Sequence, residues 1–157
     1  MKILIIYYSL DGHTRFVAGK IASISGGDLL ELSTVKQLPG GNLVKHFWGG
    51  KQVITGEKPE LLPFSKNPAD YDLIFIGTPV WAFSYVPAFK TFFGRIKISG
   101  KKIALFCTNG GAPGATLKNL KKELSDNQMI GEQDFKNPFT DRNQSAAAVE
   151  KWVKELI

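Results

Sequence analysis

Apolar residues fall into two kinds of run along this chain. Ile3 to Tyr8 is apolar at every position and rich in β-branched and aromatic side chains, and Leu73 to Ile76 and Ile103 to Cys107 repeat that pattern. Strands that are apolar on both faces belong in a parallel sheet covered on both sides. Between these runs the spacing changes to a helical one: Val17, Ile21 and Ile24; Phe89, Phe92, Phe93 and Ile96; Leu117, Leu120 and Leu124; Val149, Trp152, Val153 and Leu156. Each set lays one apolar stripe along a helix that must rest on a sheet. Pro87 suits the first turn of its helix, where a missing amide hydrogen costs nothing. Two further strands are predicted at Asp28 to Leu32 and near Met129 to Phe135, the second interrupted by Gly131. Residues 35–71 are the least legible, with Gly and Pro at both ends and a helix predicted over Leu43 to Ile54. The alternation of strand and helix, without repeat or linker, predicts a single domain: an α/β fold with a doubly wound, five-stranded parallel sheet.

Composition narrows the class. A chain of 157 residues, 43% hydrophobic and 22% charged, is long enough for one buried core. The opening MKILIIYY stops being apolar at Tyr8, short of the roughly 7 to 15 residues of a signal-peptide core, and no stretch nears the roughly 20 needed to span a membrane. Cys107 is the single cysteine, which leaves no internal disulfide and no cysteine-rich metal cluster. A cytoplasmic protein without membrane partners is the expectation, and the glycosylation pattern at Asn143-Gln144-Ser145 then counts as a chance match. The net charge of +6 suggests nucleic acid, but lysines are spread along the whole chain among acidic residues and only three arginines are present. A solvated surface is the simpler reading, and no nucleic-acid partner is expected.

Candidate chemistry lies in three loops that follow the three strongest strands. Parallel strands bring such loops to one edge of the sheet, where ligands of open α/β sheets bind. The first, Ser9-Leu10-Asp11-Gly12-His13-Thr14, has the parts of an anion site: hydroxyls from Ser9 and Thr14, a close backbone approach at Gly12 and the positive end of the following helix. A helix cap supplied by Ser9, Asp11 or Thr14 explains the same residues. The second, Gly77-Thr78-Pro79-Val80-Trp81-Ala82-Phe83, carries aromatic rings with no obvious core to fill, and Trp81 is the ring best suited to stack on a planar ligand. Alternatively, one or two of Trp81, Phe83 and Tyr85 fold inward over the next helix. The third, Thr108-Asn109-Gly110-Gly111-Ala112-Pro113-Gly114, exposes main-chain donors and acceptors suited to the polar edge of a flat heterocycle, or is a plain glycine-rich turn. Together the loops describe one ligand with a phosphate, a stacked ring and a polar ring edge.

Other phosphate sites fail on spacing. Gly49-Gly50-Lys51 is followed by Gln52 where a Walker loop needs Ser or Thr, and G-x-G-x-x-G is missing after the first strand. Cys107 is followed by Pro113 where a thiolate phosphatase needs arginine, so it is expected as a buried core thiol. His13 is expected to face solvent, and His46 to be structural or exposed.

Over nearly its whole length the sequence resembles the flavodoxin-like FMN-binding proteins of short-chain type. The family pattern Ser/Thr-x-Thr-Gly-x-Thr, which wraps the FMN 5′-phosphate, is matched here by Ser9, Gly12 and Thr14, with Asp11 in place of a hydroxyl residue. A carboxylate beside a phosphate is repulsive, so the Asp11 side chain is expected to point away and its amide to serve. The resemblance implies that Thr78, Pro79, Val80, Trp81, Ala82 and Phe83 flank the isoalloxazine and ribityl chain, and that Thr108, Asn109, Gly110 and Gly111 bond the pyrimidine edge. It also implies the strand order 2-1-3-4-5 with helices on both faces, and FMN as cofactor. The partner is then a redox protein or a small-molecule electron acceptor, with electron carriage the leading function. Electron-shuttling flavodoxins are typically acidic, whereas this chain is basic, which keeps open an NAD(P)H-dependent reductase of quinones or other small acceptors. A non-catalytic FMN-binding or signalling module is the third reading. No protein residue need be catalytic.

Overall fold

The computed structural model describes residues 1–36 and 50–157. Its strands are β1 (Ile3–Tyr7), β2 (Asp28–Glu31), β3 (Leu73–Pro79), β4 (Lys102–Asn109) and β5 (Gln128–Lys136). They form one sheet in the order β2-β1-β3-β4-β5, and every neighbouring pair is parallel. Among the described residues, helices α1 (His13–Ser25), α2 (Pro87–Arg95), α3 (Thr116–Glu123) and α4 (Arg142–Lys154) accompany it. Fold class and strand order are thus those expected. The helix expected over Leu43 to Ile54 is helical at residues 50–54, and its remainder, like His46, lies outside the described residues.

The even apolar runs acquire a physical meaning in the two cores. Side chains alternate across a strand, so Ile3, Ile5 and Tyr7 point to one face of the sheet while Leu4, Ile6 and Tyr8 point to the other. The first set packs with Val17 and Ile21 of α1 and Val149, Trp152 and Val153 of α4. The second packs with Phe89 and Phe92 of α2, with Leu120 of α3 and with Leu124 just beyond it. Both faces of β1, β3 and β4 are therefore largely dry, and a polar side chain there needs a partner within the protein. Phe93, Ile96, Leu117, Ile24 and Leu156 close the rims as half-buried members of the predicted stripes.

Cys107 is buried, and burial together with the nearby Asp134 charge pushes its thiol up to about 12. It is a core side chain with no thiolate chemistry near neutral pH. Among the described residues no helix is long and apolar enough to cross a membrane, and no cluster of His, Cys, Asp and Glu could hold a metal ion.

Candidate functional site

The parallel order carries the ends of β1, β3 and β4 to one edge, and the three loops meet there. Contact between them is direct: Thr14 Oγ1 lies 2.8 Å from Thr108 Oγ1, both residues being buried, and the Val80 amide donates to the Thr108 carbonyl at 3.0 Å. The Thr14 hydroxyl thus joins the first loop to the third instead of facing outward.

The first loop is a preformed turn into α1. Gly12 is its N-cap with φ 96°, a left-handed conformation that a residue with a Cβ adopts only under strain. Ser9 Oγ accepts from the amides of Gly12 and Arg15, each at 3.2 Å. The hydroxyl therefore occupies the position at the helix start where an anionic oxygen would also be bound. The Asp11 carboxylate does not point away, because Oδ1 accepts from the His13 amide at 3.3 Å. Leu10 packs against the core below. His13 is half-buried: its imidazole stacks on Phe139, with ring centroids 4.1 Å apart and planes 28° from parallel, and Nε2 is 3.9 Å from Asp11 Oδ2.

In the second loop the chain doubles back within four residues. Trp81 and Ser84 exchange both backbone hydrogen bonds at 2.9 Å, with Ala82 (φ 47°) and Phe83 (φ 61°) at the bend. Two successive left-handed residues are the geometry that Asn-Gly pairs adopt readily, and non-glycine residues there store strain. The bend is held against the third loop: the Ala115 amide donates to the Phe83 carbonyl at 2.9 Å, and a Cβ on Gly114 would meet Phe83 Cβ at 2.8 Å. Thr78 is fully buried, and its hydroxyl accepts from Val86 N at 3.2 Å and donates to the Pro79 carbonyl at 2.8 Å, so it secures the loop's base.

The aromatic side chains of this loop divide. Trp81 is 4% exposed, edge-on to Tyr8 at 5.5 Å, whereas Phe83 is 73% exposed at the tip. The inward alternative therefore describes Trp81, and also Tyr85, whose hydroxyl donates to Glu123 Oε1 at 2.7 Å and is held far above its ordinary range by burial and that carboxylate. The gap beside Trp81, lined by Tyr8, Thr34, Gln52 and Pro59, is about 10 Å³, room for one water. The wider hollows, of about 380 and 570 Å³, lie at the amino edge around Met1, Asp28 and Lys102, away from the loops.

In the third loop, Asn109 donates from Nδ2 to Asp134 Oδ2 at 3.3 Å, and its carbonyl accepts from the Asn137 amide at 2.8 Å. Gly110 and Gly111 are exposed. Two polar side-chain atoms in the second and third loops are buried without a partner: the donor Trp81 Nε1 and the acceptor Asn109 Oδ1. Buried polar atoms are normally satisfied. A donor and an acceptor left over in these loops suit a heterocycle that offers both carbonyl and N–H groups, so the residues present fit a flavin.

The chain is similar to known proteins over nearly its whole length. The flavodoxin family model matches residues 2–156. This chain belongs to the flavodoxin family. A flavoprotein of Lactobacillus acidophilus, solved in complex with FMN, is 26% identical with a TM-score of 0.75, over 96% of this chain and 97% of that one. A protein of Bacteroides eggerthii is 26% identical with a TM-score of 0.81, over 99% and 97%. The two-electron reduced flavodoxin of Megasphaera elsdenii, at 18% identity and a TM-score of 0.61 over 98% and 99%, shares the fold. No curated protein sequence matches the chain.

Residues outside the three loops also border this flavodoxin's edge. Phe139 arrives from the connection between β5 and α4 and Arg142 from the first position of α4, and Asn137 (φ 44°) touches both Asn109 and Gly110. The Asn137-Pro138 pair is a turn signal in the sequence, but the weakly apolar β5 before it did not mark that turn as part of the ligand edge.

Proposed function

We propose that this flavodoxin holds FMN non-covalently at the three-loop edge and carries electrons through it. The observation that carries the reading is the first loop: a left-handed Gly12 opens α1 at the end of β1, with Ser9 hydrogen-bonded to its first amides. The FMN complex of the Lactobacillus acidophilus flavoprotein supports it. FMN when bound supplies the ring that accepts and releases electrons or hydride. The chain's residues do the rest. Ser9, Gly12 and the amides from Leu10 to Thr14 hold the phosphate, the Trp81–Phe83 bend borders the ring, and Asn109 with Gly110 and Gly111 reads its polar edge.

The net charge of +6 favours a second reading beside electron carriage. A basic surface repels the basic partners that suit an acidic shuttle, and reduction of a quinone or other small acceptor by NAD(P)H requires no protein partner. The visible spectrum of the purified chain, before and after incubation with FMN and removal of excess, tests the common part. Flavin bands that stay with the protein are expected, and their absence rejects FMN binding. The reconstituted protein is then mixed with NAD(P)H and a quinone: oxidation without any added protein selects the reductase, and none selects the carrier.

A further inference from the structure

A stack of side chains on the outer wall of the first loop is not explained by the flavin site as described. Phe139 lies parallel to His13, and a Cβ on Gly12 would come within 3.6 Å of its ring. On Phe139 also rests the Arg142 guanidinium, with Cζ 4.3 Å from the ring centre, and the same group is 5.9 Å from the ring of Phe16. Phe16 in turn meets Phe139 edge-on at 5.7 Å. Two basic side chains are thus held against one aromatic ring at the start of α1. Arg142 is also the first residue of α4, so the positive ends of two helices stand side by side there.

Charge gives this arrangement a purpose. The first loop contains the Asp11 carboxylate, committed to the His13 amide, and that charge opposes an incoming phosphate. The cation in the first turn of α1, Arg15, cannot offset it, because its Nη2 and Nε bond Glu31 at 2.5 and 3.1 Å. The Arg142 guanidinium brings positive charge beside the loop, and Phe139 fixes where it stands. Ring faces attract cations and hold them without neutralising them, as a carboxylate would.

We propose that Phe139 and Arg142 are the positioning residues by which this site selects a phosphorylated flavin over riboflavin. The inference rests on the FMN reading and names the residues that set its preference for a phosphate monoester. Arg142 acts on the phosphate through its charge, while Phe139 acts through Arg142.

The test is the ratio of riboflavin to FMN dissociation constants, measured by quenching of flavin fluorescence at low ionic strength. In Arg142→Gln the ratio falls about three- to tenfold, the size of one charge acting through partly solvated space, with riboflavin affinity unchanged. Arg142→Lys keeps most of the preference, since the charge remains. Phe139→Leu lowers the ratio as Arg142→Gln does, and an unchanged thermal midpoint of the unliganded variants shows that the fold is retained. An unchanged ratio in Arg142→Gln and Phe139→Leu, or an equal loss for both flavins, overturns the selection role while FMN binding stands. If the unaltered chain retains neither flavin, the FMN reading and this inference fail together.

Discussion

The first and second loops solve the same geometric problem in opposite ways. Each must turn the chain sharply at the end of a buried strand, and each uses left-handed backbone to do so. In the first, the left-handed position is Gly12, for which the conformation carries no steric cost, and the Ser9 hydroxyl already accepts from the amides of Gly12 and Arg15. In the second, Ala82 and Phe83 take left-handed angles against their preference, and the adjoining Trp81 buries a donor that has no acceptor. The turn into α1 is therefore ready-made, while the Trp81–Ser84 bend stores strain and an unmet hydrogen bond. Strain of this kind persists only where the surroundings enforce it. Here Gly114 and the Ala115 amide do so by clamping Phe83.

Substitutions can break that contrast, and the largest effect belongs to the core ring. Trp81→Ala is expected to destabilise the protein by about 3 to 5 kcal/mol in urea unfolding, because it opens a cavity over Tyr8. Phe83→Ala, two residues away on an exposed tip, is expected to change stability by less than about 0.5 kcal/mol. Equal losses from the two would contradict the inward placement of one ring and the outward placement of the other. Next in size, Gly12→Val is expected to weaken FMN binding about five- to thirtyfold, as the αL penalty of about 1 to 2 kcal/mol for a residue with a Cβ distorts the first loop. Titration of flavin fluorescence measures it, and an unaltered dissociation constant would detach the first loop from the phosphate. The smallest change sharpens the comparison from the other side: Ala82→Gly relieves strain in the bend and is expected to raise the thermal midpoint by a few degrees. A lowered midpoint would show that the bend is not strained.

How much of this was legible depends on the residues concerned. The doubly buried strands were legible because a run such as Ile3 to Tyr8 has no polar side to offer solvent. The edge strand β2 and the helix stripes followed from period alone. The first loop could be placed from spacing, since an anion site at a helix start is made largely of backbone. Its side chains could not: Asp11 turned inward to the His13 amide, and His13 found Phe139, a ring 126 positions later in the chain. Thr14 and Thr78 were expected near a ligand, yet hydrogen bonds to Thr108, to Val86 and to the Pro79 carbonyl use their hydroxyls. The aromatic cluster was visible as composition, but which ring would be covered depended on how far the sheet and α2 extend beneath the loop.

By itself the sequence determined the doubly wound sheet and the edge at which the loops gather, because hydrophobic period and chain order are local properties that constrain parallel strands to very few arrangements. The tertiary structure alone settled that Trp81 is buried while Phe83 stands exposed, and that Phe139 and Arg142 stack beside the first loop. Those outcomes depend on contacts between segments far apart in the chain, where burial and charge are settled by whichever neighbour arrives.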